Sequence, residues 1–292
     1  MRVNRKIVML GSVAGAMLAG AALAQDATQL WSLEGLNGPE SVAWDAASGT
    51  VYVSLMGADP MAKDGDGAIG TLAADGTLIA ADWVTGLDAP KGIGLAEGRL
   101  FTADIDQLVE IDTATGEVVA RYPAEGAMLL NDVVVAPDGR VFVSDTFTMT
   151  IWVLADGSFT PWLQDPALMG ANGLIVADGA LIVANLGDVS QGFENAKPGW
   201  VVSVDLETQA VTNYGAADAV GLLDGIASDG AGGVLFTDYI SGRIMRQAPG
   251  GAAAPVGMLS LGSADMDYDP AGGVIFVPIT PEGRVVALSW RP

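Results

Sequence analysis

The 292-residue chain contains no cysteine and no histidine. The first absence means that, in an oxidising compartment, stability must come from packing and not from disulfides. The second excludes more. Ser-His-Asp and Cys-His nucleophile systems, histidine general bases and histidine-ligated zinc are all unavailable. A metal here must be held by oxygen, which points to calcium first and then to magnesium, manganese or an oxygen-ligated zinc. Cations are also scarce, with 13 Lys and Arg against 35 Asp and Glu and a net charge of −22. Such a surface repels nucleic acid and anionic membranes and suits solubility, so neither is expected as a partner.

The amino terminus carries three of those few cations. Arg2, Arg5 and Lys6 precede a small, apolar stretch from Ile7 to Ala21, and Ala22-Leu23-Ala24 before Gln25 forms an A-x-A cleavage pattern. The expectation is a secretory signal over residues 1–24, a mature single domain over residues 25–292, and a periplasmic or secreted location. The stretch is too rich in Gly and Ala, and too short, to read as a bilayer span of roughly 20 strongly apolar residues.

The rest of the chain repeats. Six segments align as strand, Gly-rich turn, strand: GPESVAWDAASGTVYVSL, APKGIGLAEGRLFTAD, LLNDVVVAPDGRVFVSD, GANGLIVADGALIVAN, LLDGIASDGAGGVLFTD and GSADMDYDPAGGVIFVP. Their turns hold Ser48-Gly49, Glu97-Gly98, Asp138-Gly139, Asp178-Gly179, Gly232-Gly233 and Gly272-Gly273, dipeptides suited to tight hairpins. Most units continue into a third strand, such as Ile151 to Leu154 or Arg243 to Gln247, and a fourth, such as Ser158 to Leu163. Four short antiparallel strands at a period of about 45 residues describe a propeller blade. The predicted fold is an all-β, six-bladed β-propeller. The sixth unit runs out after three strands, so Thr28 to Leu33 is assigned as its outer strand, closing the ring.

One polar position opens the innermost strand of each unit: Glu40, Lys91, Asn131, Asn172, Asp224 and Asp265. Inner strands line the central channel, so these six form a ring around its axis. Glu, Asn and Asp there are hard oxygen ligands aimed at one spot, and calcium takes about six to eight such oxygens. Two other readings remain open. Asn and Asp also cap strand starts, and the ammonium of Lys91 can neutralise part of the ring without a metal.

The order Glu in Gly38-Pro39-Glu40, Asn in Asn131-Asp132, Asn in Asn172-Gly173 and Asp in Asp224-Gly225 resembles the senescence marker protein 30, gluconolactonase and luciferin-regenerating-enzyme family, across essentially the whole mature chain. The resemblance implies one bound divalent cation held by Glu40, Asn131, Asn172 and Asp224, and hydrolysis of a lactone or related ester. It implies Asp224 as ligand and base, with Asp265 as the local alternative for the base. Two departures stand out. Sugar-lactone members carry an Arg shortly before the first Asn, where this chain has Ala127-Met128-Leu129-Leu130, and Lys91 is foreign to the pattern. Lys91 therefore joins Asp224 and Asp265 as a candidate catalytic group, suited to an anionic part of the substrate.

A second set closes each second strand: Leu55, Asp104, Asp145, Asn185, Asp238 and Pro278. These ends return to the ring face, so Asp104, Asp145, Asn185 and Asp238 are candidates for a substrate rim, against a plainer role in capping the next turn. Units one and four are about ten residues longer than the others, with the excess in Met56 to Gly67 and Gly187 to Gly199. Both segments fall on the ring face, from opposite blades, and suggest a two-sided lid with Met56, Met61, Phe193 and Lys197 as contacts. Gly92-Ile93-Gly94 lacks the third glycine and the helix of a dinucleotide site. Two functions survive: an exported metal-dependent hydrolase acting on a small molecule, or a non-catalytic propeller that binds a ligand or protein around a structural metal or a Lys-neutralised ring. The sequence leaves the oligomeric state open.

Overall fold

The computed structural model describes residues 26–216 and 218–292, so the expected signal segment lies outside the described residues. The chain forms six four-stranded antiparallel sheets arranged as a six-bladed propeller. Blade one comprises Pro39–Asp45, Thr50–Leu55, Gly67–Ala73 and Leu78–Leu87. Blades two to five start with the inner strands Pro90–Ala96, Leu130–Val135, Ala171–Ala177 and Leu223–Ser228. Blade six is built from Asp267–Asp269, Val274–Ile279 and Arg284–Ser289, with Thr28–Glu34 as its outer strand. That strand pairs antiparallel with the last one, Thr28 opposite Ser289 and Glu34 opposite Arg284, which is the closure expected of TQLWSL.

Burial falls from the axis outward. The inner strand Pro39–Asp45 is almost wholly buried, whereas Thr28–Glu34 is mostly exposed. Among the described residues six apolar clusters lie one at each contact between neighbouring blades, and a seventh, small one joins Met56, Ala89 and Ile105. Large side chains fill the widening gaps between sheets. Trp44 of blade one stacks on Phe276 of blade six at 5.6 Å between ring centroids, and Phe142 meets Trp162 edge-on at 5.0 Å. Among the described residues the only helical elements are three single 3-10 turns, and none is long and apolar enough to cross a membrane.

The detail that positions the site is a bulge repeated in five inner strands. In blade one Pro39 opposes Leu55 and the next partners are Val42 and Val53, so Glu40 and Ser41 together face Ser54 alone. The same slip follows Pro90, Leu130, Ala171 and Leu223. Two residues against one bend the strand locally and redirect a side chain. Three of the bulges have a backbone N–H satisfied by a hydroxyl of the second strand: Ser41 donates to Ser54 Oγ at 2.9 Å, Asp132 to Ser144 Oγ at 2.9 Å and Gly225 to Thr237 Oγ1 at 3.0 Å.

Candidate active site at the propeller axis

The bulge separates two consecutive side chains. The first, the ring residue, turns toward the axis, while the second is pressed against the next blade. That second position leaves little room. A Cβ on Gly92 would lie 2.4 Å from the Cα of Asp132, and one on Gly173 would lie 2.4 Å from the backbone oxygen of Asp224. In blade three the equivalent residue is Asp132, whose carboxylate accepts the N–H groups of Val133 and, in the neighbouring blade, Leu174. In blade one it is Ser41, which donates to the carboxylate of Asp265 across the seam with blade six.

All six ring residues are buried, none more than 7% exposed. Four of them carry a buried oxygen with no hydrogen-bond partner: Glu40 Oε2, Asn131 Oδ1, Asn172 Oδ1 and Asp224 Oδ1. These are the four positions that the sequence pattern singled out. Asn131 shows how one is aimed. Its amide nitrogen donates to Thr146 Oγ1 at 3.0 Å, and that hydroxyl donates to the backbone of Ala171 at 2.9 Å, so the nitrogen is tied down and the oxygen is left free. Unpartnered buried polar atoms cost stability, and four on one floor call for a ligand.

The electrostatics agree. Burial, then the neighbouring Asp224 and Asp265, hold the Glu40 carboxyl well above its usual range, against a smaller opposing pull from Lys91. Burial and Asp265 do the same to Asp224. Tyr239 is pushed up to about 12 by burial and then by Asp224 and Glu40. Acid groups that resist ionisation together, beside two amide oxygens, form a donor set that fits a divalent cation with oxygen preference, calcium first. The set is two carboxylates and two amides; among the described residues no cluster of three or more acidic side chains has metal-holding geometry.

The ring floors a cavity of about 650 Å³. Both long loops line it: Met56, Pro60 and Met61 from one side, Val189 and Phe193 from the other. Phe193 lies over Tyr239 with ring centroids 6.0 Å apart. The second loop is ordered by a short ladder, Gly187–Asp188 against Lys197–Pro198, and Lys197 pairs with Asp188 at 3.0 Å without reaching the cavity. Lys91 does line it, yet its ammonium donates to two backbone carbonyls, Pro60 at 2.8 Å and Ala89 at 3.1 Å. Burial lowers the Lys91 pKa, with Glu40 and Asp104 opposing. The bond to Pro60 fastens the first loop to the ring.

Two sequence-based expectations need correction. Asp265 does not line this cavity. It faces a separate space of about 210 Å³ further along the axis, shared with Asp132 and Asp267 and lined by the inner strands. Burial raises Asp265 to about 7 and Asp267 to about 6. The second correction concerns the rim. Asp104, Asp145, Asn185 and Asp238 do not line the cavity but turn to the loop that feeds the inner strand of their own blade. Asp104 accepts from the N–H groups of Asp88 and Ala89, Asp145 from Met128 and Leu129, and Asp238 from Leu222, while Asn185 donates to Ala167.

The cavity is reached instead by the residue just after these positions. Met56 follows Leu55, Thr146 follows Asp145, Leu186 follows Asn185 and Tyr239 follows Asp238, and all four are lining residues. Side chains alternate along a strand, so a shift of one residue changes the face. Of these the sequence singles out only Met56, and not Thr146, Leu186 or Tyr239, nor Phe147 and Leu129, which also line the cavity.

No family model and no curated protein matches the sequence. The fold, in contrast, has many counterparts among solved structures. A gluconolactonase from Xanthomonas campestris superposes with a TM-score of 0.62 at 16% identity, covering 94% of this chain and 99% of its own. A catalytically inactive virginiamycin B lyase from Staphylococcus aureus, solved with quinupristin, gives 0.58 at 15% identity over 89% and 98%. A protein of unknown function from Bacteroides thetaiotaomicron gives 0.65 at 11% identity over 91% and 72%. At such identities the likeness is one of fold, and it extends to gluconolactonase and lyase structures alike.

Proposed function

We propose that this chain is an exported, divalent-metal-dependent hydrolase that opens a lactone or related ester. The observation that carries the reading is the set of four unpartnered buried oxygens, from blades one, three, four and five, on the floor of a cavity of small-molecule size. Glu40, Asn131, Asn172 and Asp224 would hold the cation, which supplies polarisation of a carbonyl and stabilisation of developing negative charge.

This chain's own groups do the rest. The cavity walls place a carbonyl against the floor and leave room beside it for one attacking water. Asp224 faces the same space, with a carboxylate oxygen on the floor that no hydrogen bond occupies. It takes the proton of the attacking water. Asp265, bound by Ser41 and outside the cavity, acts from behind by raising Asp224. Lys91, spent on two carbonyls, orders the first loop.

The gluconolactonase neighbour supports a hydrolase on this fold. The lyase neighbour is catalytically inactivated by a histidine-to-alanine exchange, and this chain has no histidine to carry that chemistry. The test is to express residues 25–292, measure bound metal by elemental analysis, and screen lactones with and without a chelator. Turnover abolished by the chelator, and lowered by about 10²–10⁴ in Asp224→Asn, is the expected result. No turnover on any lactone despite stoichiometric metal sinks the hydrolase. Metal retained by the Asn172→Ala, Asp224→Ala double variant sinks the site.

A further inference from the structure

Above its polar floor the cavity is apolar. Met56 and Met61 stand on one side, Leu186 and Phe193 on the other, with Leu129 and Phe147 between them. At the mouth Met61 is 46%, Phe147 46% and Phe193 52% exposed, apolar surface that an apolar occupant would cover.

The polar groups of the wall are largely committed elsewhere. Thr146 Oγ1 donates to Ala171 and receives from Asn131, and Thr280 Oγ1 donates to the carbonyl of Pro39. The one cation lining the cavity, Lys91, donates to Pro60 and Ala89. A polyhydroxylated substrate would leave most of its hydroxyls facing carbon. An anionic one would enter a protein of net charge −22 with no free cation on the described wall to meet it.

We infer that the site takes an uncharged lactone or ester with an unbranched apolar chain, its carbonyl on the ring and its chain between the two loops, in preference to a sugar lactone. The inference rests on the hydrolase reading for its chemistry and on the wall for its selectivity. Each methylene moved from water to this wall should raise affinity about fourfold until the cavity is filled. The two methionines adapt to chain length because their side chains are unbranched and flexible.

The experiment compares γ-butyrolactone, γ-octalactone, γ-dodecalactone and glucono-δ-lactone as substrates of the calcium-loaded protein. It also measures by calorimetry the binding of the corresponding alkyl γ-lactams, which resist hydrolysis. The expected result is a rise in kcat/KM of on the order of a hundredfold from γ-butyrolactone to γ-octalactone, with glucono-δ-lactone poorest and lactam affinity following the same gradient. Phe193→Ser, which takes an apolar side chain from the mouth, should cost γ-dodecalactone about tenfold and flatten the gradient from short to long chains, with lactam affinity falling alongside. A flat gradient, or glucono-δ-lactone as the best substrate, overturns the ligand class while leaving a hydrolase. No hydrolysis with a steep lactam gradient overturns the hydrolase and upholds the ligand class.

Discussion

Replacing Asn172 with leucine tests the metal site through stability alone. The side chain is 3% exposed, and its Oδ1 has no partner. A buried polar atom without a hydrogen bond costs about 1–3 kcal/mol, and replacement by an apolar group of similar shape is nearly neutral or stabilising. In chelator, Asn172→Leu should therefore melt at the same temperature as the parent or up to several degrees higher. With calcium at about 100 times its dissociation constant the parent gains about 2.7 kcal/mol, or about 5–10 °C for a chain of this size. Losing one ligand should weaken metal binding by at least about 10–100-fold, which cuts that gain to about 0.4–1.4 kcal/mol. The substitution thus helps the empty protein and hurts the loaded one. Thermal melts at pH 7.5, with chelator and with calcium, read both signs. A variant that melts well below the parent in chelator would show that the amide is structural, and an undiminished calcium response would remove it from the ligand set.

Three further outcomes follow from the same geometry. Lys91→Met removes both hydrogen bonds that the ammonium donates to Pro60 and Ala89, so limited proteolysis within residues 57–66 should accelerate severalfold while the far loop at residues 187–199 cuts at the parent rate. Asp267 is raised from 3.8 to about 6 by burial, so its contribution to stability is full below about pH 4 and is lost as pH rises through about 6. At about 1.4 kcal/mol per pKa unit the loss is at most about 3 kcal/mol, and urea melts of Asp267→Asn should lack that fall between pH 4 and 7. Gly173→Ala pushes a methyl into the Asp224 carbonyl oxygen, and should destabilise by about 1–3 kcal/mol or more; chemical denaturation measures it, and a neutral result would remove the close approach argued for that bulge.

Most of the fold could be read from the sequence because it repeats. A hairpin dipeptide every blade fixes strand number, and the alternation of apolar residues fixes the buried face. Even the closing strand was legible, since TQLWSL resembles the outer strands of other blades. The ring was legible for the same reason, as six unlike residues at one repeated place. What escaped is local and geometric. The hydroxyls of Ser54, Ser144 and Thr237 stand in the sequence just before the strand ends, yet their task of holding bulges open is visible only from the pairing slip. The rim was misplaced by one residue, since Asp145 and Asp238 look like ligands while Thr146 and Tyr239 occupy the cavity. Asp265 matches its ring partners in sequence, but the contact with Ser41 leaves it behind them.

The seam between the first and last blades runs through the site itself. Glu40 follows by only six residues a strand that belongs to blade six, and its carbonyl accepts the N–H of Asp265 at 3.0 Å. The ring of polar residues is therefore closed only when blades one and six are joined. Trimming residues 26–34 would leave every ring residue present, yet free blade six to hinge away from blade one and carry Glu40 out of register. The position of Glu40 at the buried centre thus depends on a mostly exposed strand at the outer edge of another blade.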